Sequence, residues 1–301
     1  MAYREGRGSV HQCKIEDFLD SRPGLALRGR VQLILTSPPF PLNRKKKYGN
    51  LQGQQYVSWL SDLAQRFKQL LTPTGSIVME MGNAWERGQP VMSTLALEAL
   101  LAFLKTGELK LCQQFICYNP ARLPSPAQWV NVERIRVKDA YTHVWWMSAS
   151  ARPTANNRRV LKPYSTSMLT LLRTQKYNAG PRPSEHHIGK KSFLHKHDGA
   201  IPSNVLTLSN TSNHDPYLKY CRENDLPIHP ARMPAGLADF FIKFLTNRGQ
   251  LVLDPFAGSN TTGACAGRLD RRWISIEPSI EYIAGSLGRF GPRVKATKSA
   301  R

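Results

Sequence analysis

The chain has 301 residues, which is enough for one large α/β domain with an insertion or for two domains. Lys and Arg total 42 against 21 Asp and Glu, which gives a formal net charge of +21. Surplus basic charge attracts polyanions, so nucleic acid is the first partner to consider. An acidic membrane surface is the second, but we find no apolar run long enough to span a bilayer and no signal-peptide pattern at the start.

The five cysteines are scattered along the chain and include no C-x-x-C pair. This pattern is typical of reduced thiols and supplies no zinc site. We therefore expect a cytoplasmic protein.

The first 150 residues alternate between predicted strands and helices. Apolar residues recur at helical spacing from Tyr56 to Leu70, which predicts a helix that faces the core. The other elements expected here are a short helix near 15–19, strands over 31–35, 76–81, 115–118 and 142–147, and a helix over 91–104. This alternation favours a sheet that helices cover on both faces.

The strand over 31–35 leads into the sequence Ser37-Pro38-Pro39-Phe40. Two prolines fix φ and prevent both helix and ladder pairing, so the chain should leave the sheet in a rigid, extended turn. Such a turn presents a hydroxyl, a free carbonyl and an aromatic face in fixed geometry. On its own it is not specific, because proline-rich loops are common.

Four consecutive cations follow this turn, namely Arg44, Lys45, Lys46 and Lys47. A run of this kind is most often a solvated face. Its position directly after a candidate pocket favours a clamp on phosphate groups.

The composition changes from residue 151 onward. Residues 151–200 contain ten Lys and Arg against two acids, with frequent Pro, Asn, Ser and Gly. We predict a separate, basic, loop-rich module over 151–227, between a first part at 1–150 and a last part at 228–301. A zinc cluster of its histidines is an alternative, but their irregular spacing without a nearby cysteine favours a polar surface. These histidines are His186, His187, His195 and His197.

The last part of the chain contains a pattern typical of a ligand cradle. Residues 251–254 predict a buried strand, a small-residue turn follows, and Thr261 can begin a helix, so that backbone N–H groups point outward. A second strand ends at Glu277, 23 positions after Asp254, a spacing that suits a carboxylate holding the ribose of a nucleoside cofactor. An ordinary strand-to-helix turn is the alternative.

The turn lacks G-x-G-x-x-G, which disfavours a dinucleotide. Asn260 stands where a second glycine could stand, and asparagine tolerates the left-handed backbone. Apolar residues predict a core helix over 237–245 before the cradle and a helix over 280–290 after it. The basic tail 291–301 is predicted to be disordered.

Together, the Ser37-Pro38-Pro39-Phe40 turn and the cradle resemble the amino-methyltransferases of DNA. In that superfamily one motif holds S-adenosylmethionine, and an [Asp/Asn/Ser]-Pro-Pro-[Tyr/Phe] motif holds the target base. Serine in first position is typical of the cytosine-N4 branch, and a catalytic motif before the cofactor motif is the permuted order of the beta class. The resemblance extends from about residue 13 to 290, through Leu123-Pro-Ser-Pro126, Trp129-Val-Asn131 and His229-Pro-Ala-Arg-Met-Pro234.

The resemblance implies an α/β fold with a Rossmann-like, S-adenosylmethionine-dependent methyltransferase sheet and an inserted, loop-rich DNA-recognition module. It implies that Ser37, Pro38, Pro39 and Phe40 hold a flipped cytosine. The target amine would contact Ser37 Oγ and the carbonyl of Pro38, and Phe40 would stack on the base. It implies a set of cofactor residues, in which Glu277 takes the ribose hydroxyls and the others surround the remainder: Asp254, Phe256, Gly258, Ser259, Asn260, Thr261, Thr36 and Pro230. The residues expected to contact DNA are Arg44, Lys45, Lys46, Lys47, Arg182, His186, Lys190 and Lys191.

The implied partners are S-adenosylmethionine and double-stranded DNA, without a metal or a membrane. We expect a monomer in a restriction–modification system, with a cognate endonuclease that it does not contact, and a palindromic site such as CAGCTG. The alternatives are an adenine-N6 methyltransferase and a non-catalytic DNA-binding protein on the same fold. RNA as the substrate is less favoured by the resemblance.

Overall fold

The computed structural model describes residues 1–40, 51–209 and 215–291. These residues form two compact units. The larger unit contains residues 1–155 together with the described residues from 204 onward, and the smaller unit contains residues 156–203. The cation run at 44–47 and the basic tail beyond 291 lie outside the described residues.

The secondary structure elements are numbered in chain order. The strands are β1 (Tyr3–Glu5), β2 (Gly8–His11), β3 (Val31–Thr36), β4 (Leu71–Gly82), β5 (Lys110–Tyr118), β6 (Tyr141–Ser148), β7 (Gly180–Pro181), β8 (His187–Ile188), β9 (Val205–Thr207), β10 (Leu251–Asp254) and β11 (Arg272–Ile276). The α-helices are α1 (Ile15–Asp20), α2 (Arg22–Leu25), α3 (Gly53–Leu70), α4 (Leu95–Gly107), α5 (Thr166–Thr174), α6 (Pro216–Glu223), α7 (Ala235–Leu245), α8 (Thr261–Arg268) and α9 (Ile280–Ser286).

Nine of the described strands form one sheet in the order β1-β2-β11-β10-β3-β4-β6-β5-β9. The strands from β2 to β4 in this order run parallel to one another, whereas β6 is antiparallel to both of its neighbours. Strands β3 and β10 are therefore adjacent, although most of the chain lies between them. Their carboxyl ends meet at one edge of the sheet, which is where open α/β sheets bind ligands.

Two apolar cores cover the two faces of the sheet, as the sequence predicts. Ile34 of β3 belongs to one core, and its neighbours Leu33 and Leu35 belong to the other, because successive side chains of a strand point to opposite faces. Residues of α1, α3 and α4 fill the first core, and Leu237 and Phe241 of α7 lie in the second. The central strands are buried on both faces, which explains their continuous apolar sequences.

The predicted helices and strands are present, with some shifted ends. Strand β4 begins at Leu71 rather than at residue 76, and so includes the Pro- and Gly-containing stretch 72–75. A register shift between β3 and β4 next to this stretch accommodates the irregular residues. Helix α4 begins at Leu95 rather than at residue 91. The short strands β1, β2 and β9 were not predicted, since three or four residues are too few to establish a period.

The smaller unit is rich in loops. It contains a short 3-10 helix, α5 and the two-residue strands β7 and β8, and a bridge joins Lys162 to Ala200. The smaller unit spans fewer residues than the predicted 151–227 module. Strand β9 pairs with β5 in the large sheet, and α6 also belongs to the larger unit.

The chain is attached to the larger unit on both sides of this segment. The amide of Thr154 donates a hydrogen bond to the carbonyl of Thr74 at 3.0 Å, and Asn204 Nδ2 donates to the carbonyl of Gln114 at 2.9 Å. Among the helices that the structure describes, none is both long enough and apolar enough to cross a membrane.

Candidate active site

Two cavities of the larger unit meet at the Ser37-Pro38-Pro39-Phe40 turn. One is a cleft of about 1290 Å³, and the other is a smaller cavity of about 130 Å³. Ser37 and Phe40 line both of them. A molecule in the smaller cavity and a group that enters the cleft would therefore meet at this turn.

The hydroxyl of Ser37 lies close enough to the buried carboxyl group of Glu80 on β4 to stabilise its charged form. Thr142 on the antiparallel strand β6 donates a hydrogen bond to Glu80 Oε1 at 3.0 Å. Burial raises the pKa of Glu80 to about 7, against the opposing effects of Thr142, the charge of Arg122 and Ser37. An acid that titrates near neutral pH thus lies beside the predicted catalytic hydroxyl, in the wall of the cleft.

Sequence reasoning missed Glu80. Its only signal was a lone acid within the apolar strand sequence Ile77-Val-Met-Glu-Met81. A charged residue inside a buried strand requires a partner or a shifted pKa, so this signal could have been used.

The aromatic ring of Phe40 packs directly on the backbone of Gly82, at the end of β4. A Cβ atom built on Gly82 would lie 2.5 Å from the Cδ2 and Cε2 atoms of Phe40. Only glycine allows the ring to occupy this position at the mouth of the cleft.

Asp254 ends β10 and holds the start of the cradle. Its Oδ1 accepts hydrogen bonds from Thr36 Oγ1 at 2.8 Å and from the amide of Phe256 at 3.1 Å. Burial raises the pKa of Asp254 to about 6, opposed by the hydrogen bonds from Thr262, Thr36 and Phe256. Asp254 lines the smaller cavity, whereas Thr36 is fully buried behind it and joins β3 to β10.

Asn260 has the left-handed conformation that the sequence predicts, with φ 57° and ψ 40°. Its buried side chain points away from the cavity: Oδ1 accepts from Ser275 Oγ at 2.7 Å, and Nδ2 donates to the hydroxyl of Tyr3 at 3.0 Å. Tyr3 is in turn bonded to Ser286 Oγ at 2.7 Å. This buried network fixes the cradle from behind.

Glu277 lies at the end of β11 with its carboxylate on the smaller cavity. The amide of Gly258 donates to Oε2 at 2.8 Å, and the amide of Ser279 donates to Oε1 at 2.9 Å. Burial raises the pKa of Glu277, against these two hydrogen bonds. Each oxygen keeps a further lone pair, so the carboxylate can still accept hydrogen bonds from a ligand.

The structure brings most of the predicted site residues to the smaller cavity. Those that line it are Ser37, Pro38, Pro39, Phe40, Asp254, Phe256, Gly258, Ser259, Thr261 and Glu277. Pro230 lines the cleft instead, and Thr36 and Asn260 lie behind the wall.

Sequence reasoning also missed His229 and Tyr282, which line the smaller cavity with their rings edge to face and 4.5 Å apart. His229 stands next to Pro230 in a motif that the sequence analysis did identify. Its Nε2 lies 2.9 Å from where a Cβ atom on Gly258 would be, and Gly258 has a φ of +49°. Both facts require glycine at this position.

The predicted DNA contacts in the smaller unit are polar and mostly exposed. His186, Lys190 and Lys191 are exposed, and Arg182 is half-buried, donating to the carbonyl of Asn178 at 2.7 Å. Their contact with DNA stays a prediction. No group of three or more His, Cys, Asp or Glu within the described ranges is arranged to hold a metal ion.

Replacing Gly82 with Ala should displace the Phe40 ring. The single-turnover rate of the reaction catalysed at this site should then fall by roughly 10-fold or more, since small misplacements in a closed site are costly. The same alanine in a Phe40→Leu background should cost less, because the ring that it displaces is absent. The rates of the wild type, of Gly82→Ala, of Phe40→Leu and of the double variant give the coupling free energy between the two residues. Additive effects would show that the contact is unimportant.

Replacing Glu80 with Gln should raise the melting temperature, and by more at pH 8 than at pH 5. The folded pKa of about 7 lies above the ordinary value of 4.5, so wild-type stability falls as the pH rises through this window. Glutamine has no proton to lose. Melting curves from pH 5 to 8, with the exposed Asp62→Asn as control, test this expectation. A difference from wild type that does not change with pH would contradict it.

The comparisons with known proteins agree with this geometry. A family model described as a DNA methylase, of the N6/N4 type, matches residues 31–287. The type II methyltransferase M.PvuII of Proteus hauseri is 41% identical over 291 residues, covering 96% of this chain and 85% of that protein. M.HindIII of Haemophilus influenzae is 27% identical over 290 residues, covering 91% and 84%.

Among solved structures, the cytosine-N4-specific PvuII DNA methyltransferase aligns with a TM-score of 0.76 at 35% identity, covering 97% of this chain and 89% of that one. The complex of M1.HpyAVI with S-adenosylmethionine has a TM-score of 0.57 at 20% identity, covering 95% and 100%, and shares the fold. The fold and the family that the motifs predict are thereby confirmed: the chain belongs to the DNA methylase family of N6/N4 methyltransferases.

Proposed function

We propose that this protein transfers a methyl group from S-adenosylmethionine to the exocyclic N4 amine of a flipped cytosine in duplex DNA. The observation that carries the proposal is that Ser37 lines both cavities and stands beside the buried Glu80 in the wall of the cleft. The similar PvuII proteins, a type II methyltransferase and a cytosine-N4-specific DNA methyltransferase, support the choice of base and a place in a restriction–modification system.

The lining of the smaller cavity suits the cofactor because the Glu277 carboxylate, a hydrogen-bond acceptor, stands among apolar and aromatic side chains. Glu277 would accept the ribose hydroxyls, while Asp254, Phe256, Gly258 and Ser259 would surround the methionine and adenine parts. The rings of His229 and Tyr282 complete the wall. S-adenosylmethionine, when bound, supplies a methyl group that its sulfonium already activates.

The chain's own residues must prepare the amine, which is a poor nucleophile because its lone pair is delocalised into the ring. If Ser37 donates its hydroxyl hydrogen to ionised Glu80, the lone pairs of Ser37 Oγ face the cleft as acceptors for an amine hydrogen. The carbonyl of Pro38, free of any strand pairing, would accept the other. Phe40 offers a stacking face for the flipped base.

Glu80 also offers a destination for the proton that the amine must lose. A carboxylate with a pKa of about 7 can take up a proton through Ser37 Oγ and release it to solvent near neutral pH. In this arrangement Ser37 contacts the amine, and Glu80 behind it carries the negative charge until it takes up the proton.

Replacing Ser37 with Ala should lower turnover by roughly 10²-fold or more, because an oriented polar group in a closed site is lost. The dissociation constant for S-adenosylmethionine should change little, since Ser37 is proposed to contact the amine. Single-turnover rates and cofactor titrations test both statements, and near-normal turnover would remove Ser37 from the mechanism.

Replacing Glu277 with Ala should weaken S-adenosylmethionine binding by about 1.5–3 kcal/mol, the range for hydrogen bonds to a charged group. Calorimetry on the free protein measures this change. The matched control is Glu281→Ala, an exposed acid in the first turn of α9, which should bind the cofactor normally. Equal affinities for both variants would mean that the ribose is held elsewhere.

The product and the site can be determined together by sequencing and nucleoside analysis of DNA from a host that expresses the chain, with the Ser37→Ala variant as control. N4-methylcytosine is expected, and the palindrome CAGCTG is the first site to test. N6-methyladenine would show that the target base is adenine and not the proposed cytosine. Unmodified DNA would favour the alternative that the chain is a non-catalytic DNA-binding protein. In this proposal the protein acts as a monomer in the cytoplasm and does not contact a cognate endonuclease.

A further inference from the structure

The connection between β5 and β6, residues 119–140, contains an unusual group of exposed apolar side chains. Leu123 is 80% exposed, Val132 69%, Ile135 58% and Val137 86%. Single exposed apolar residues are normal on a protein surface, but several in one connection mark an interaction site. We call this group the apolar rim.

The connection that carries the apolar rim also forms a wall of the cleft. Arg122, Ser125, Pro126, Gln128 and Trp129 of this segment line the same cleft as Ser37, Phe40 and Glu80. Leu123 stands between two of these lining residues but is itself turned to solvent. The apolar rim is therefore continuous with the pocket proposed for the flipped base.

Hydrogen bonds hold the two arms of the connection side by side. Lys138 Nζ donates to the carbonyls of Pro120 and Arg122, both at 3.2 Å, and the amide of Asp139 donates to the carbonyl of Ser125 at 3.5 Å. These contacts place the Leu123 arm next to the Val137 arm. The two most exposed apolar side chains of the rim thus lie on adjacent, fixed arms.

The other side of the rim is fixed in the same way. The amides of Ile135 and Arg136 both donate to the carbonyl of Trp129, at 2.9 and 3.2 Å. Arg136 NH1 also donates to the carbonyl of Pro90 at 2.9 Å. A rim that is ordered before binding loses little conformational freedom when it enters a partner.

We propose that Leu123 and Val137 form a wedge that enters duplex DNA at the gap left by the flipped base. The inference rests on the proposed base-flipping function and extends it to residues that no motif identified. Apolar wedges inserted between base steps compensate for the stacking that an extruded base loses. The exposed Arg134, with Arg122 at the cleft, supplies the positive charge that DNA phosphates require beside the wedge.

The first test compares single-turnover methylation of two duplexes that carry the site mapped in host DNA. In one the target cytosine is paired, and in the other it faces an abasic position, where extrusion costs less. The Leu123→Ser/Val137→Ser double variant should lose roughly 10-fold or more on the paired duplex. On the abasic duplex it should stay within a few-fold of wild type.

The matched control is Leu101→Ser, which changes an apolar residue of α4 that is 66% exposed. It should behave as wild type on both duplexes. A Leu123→Met/Val137→Ile variant, which keeps two apolar side chains of similar size, should restore most of the rate on the paired duplex.

The second test measures base extrusion without methyl transfer. A duplex with 2-aminopurine at the target position should become more fluorescent with wild-type protein and much less so with the double serine variant. If wild type forms no methylated product, the proposed function fails, and this fluorescence still decides the wedge.

Equal losses on the paired and abasic duplexes would overturn the wedge, because the residues would then act on folding or general DNA binding. Unchanged rates with unchanged fluorescence would also overturn it. A wild-type dimer that the double serine variant abolishes without loss of rate would assign the apolar rim to a second copy of the chain.

Discussion

The hydrogen bond from Thr36 to Asp254 joins the ends of two adjacent strands that lie 218 residues apart in the sequence. Thr36 is followed at once by the Ser37-Pro38-Pro39-Phe40 turn, and Asp254 is followed at once by the cradle. The bond therefore fixes the distance between the residues proposed to hold the base and those proposed to hold the cofactor. A misplacement of about 1 Å between reacting groups can cost about 10²-fold in rate, so a buried bond between the two strand ends serves methyl transfer.

Three carboxyl groups are buried at this edge of the sheet, and their hydrogen bonds differ in kind. Glu277 receives two backbone amides, and Asp254 receives an amide together with the hydroxyl groups of Thr36 and Thr262. Among the described residues, the partners of Glu80 are the hydroxyl groups of Thr142 and Ser37, and its pKa reaches about 7. An amide keeps its hydrogen, whereas a hydroxyl can pass its hydrogen on, so Glu80 is the member of the three that is suited to proton movement.

The sequence predicted the parts of the site that are formed locally. Two prolines after a buried strand define the Ser37 turn, and a strand, a small-residue turn and a helix start define the cradle. Glu80 was not predictable in the same way, because its contacts arise from the pairing of β4 with β6 and with β3. Asn260 has one property that the sequence predicts and one that it does not. Its left-handed backbone followed from residue type, but its side chain bonds to Tyr3, 257 positions away, which no local pattern indicates.

The attachment of the 156–203 segment has a consequence for how such proteins can diversify. The chain leaves the large sheet after Thr154, held on Thr74, and returns at Asn204, held on Gln114. Everything between these anchors folds largely upon itself. Recombination between genes could therefore exchange this cassette while the catalytic apparatus is inherited intact. If this segment makes the DNA contacts that the sequence predicts, such an exchange would change the target site in a single step.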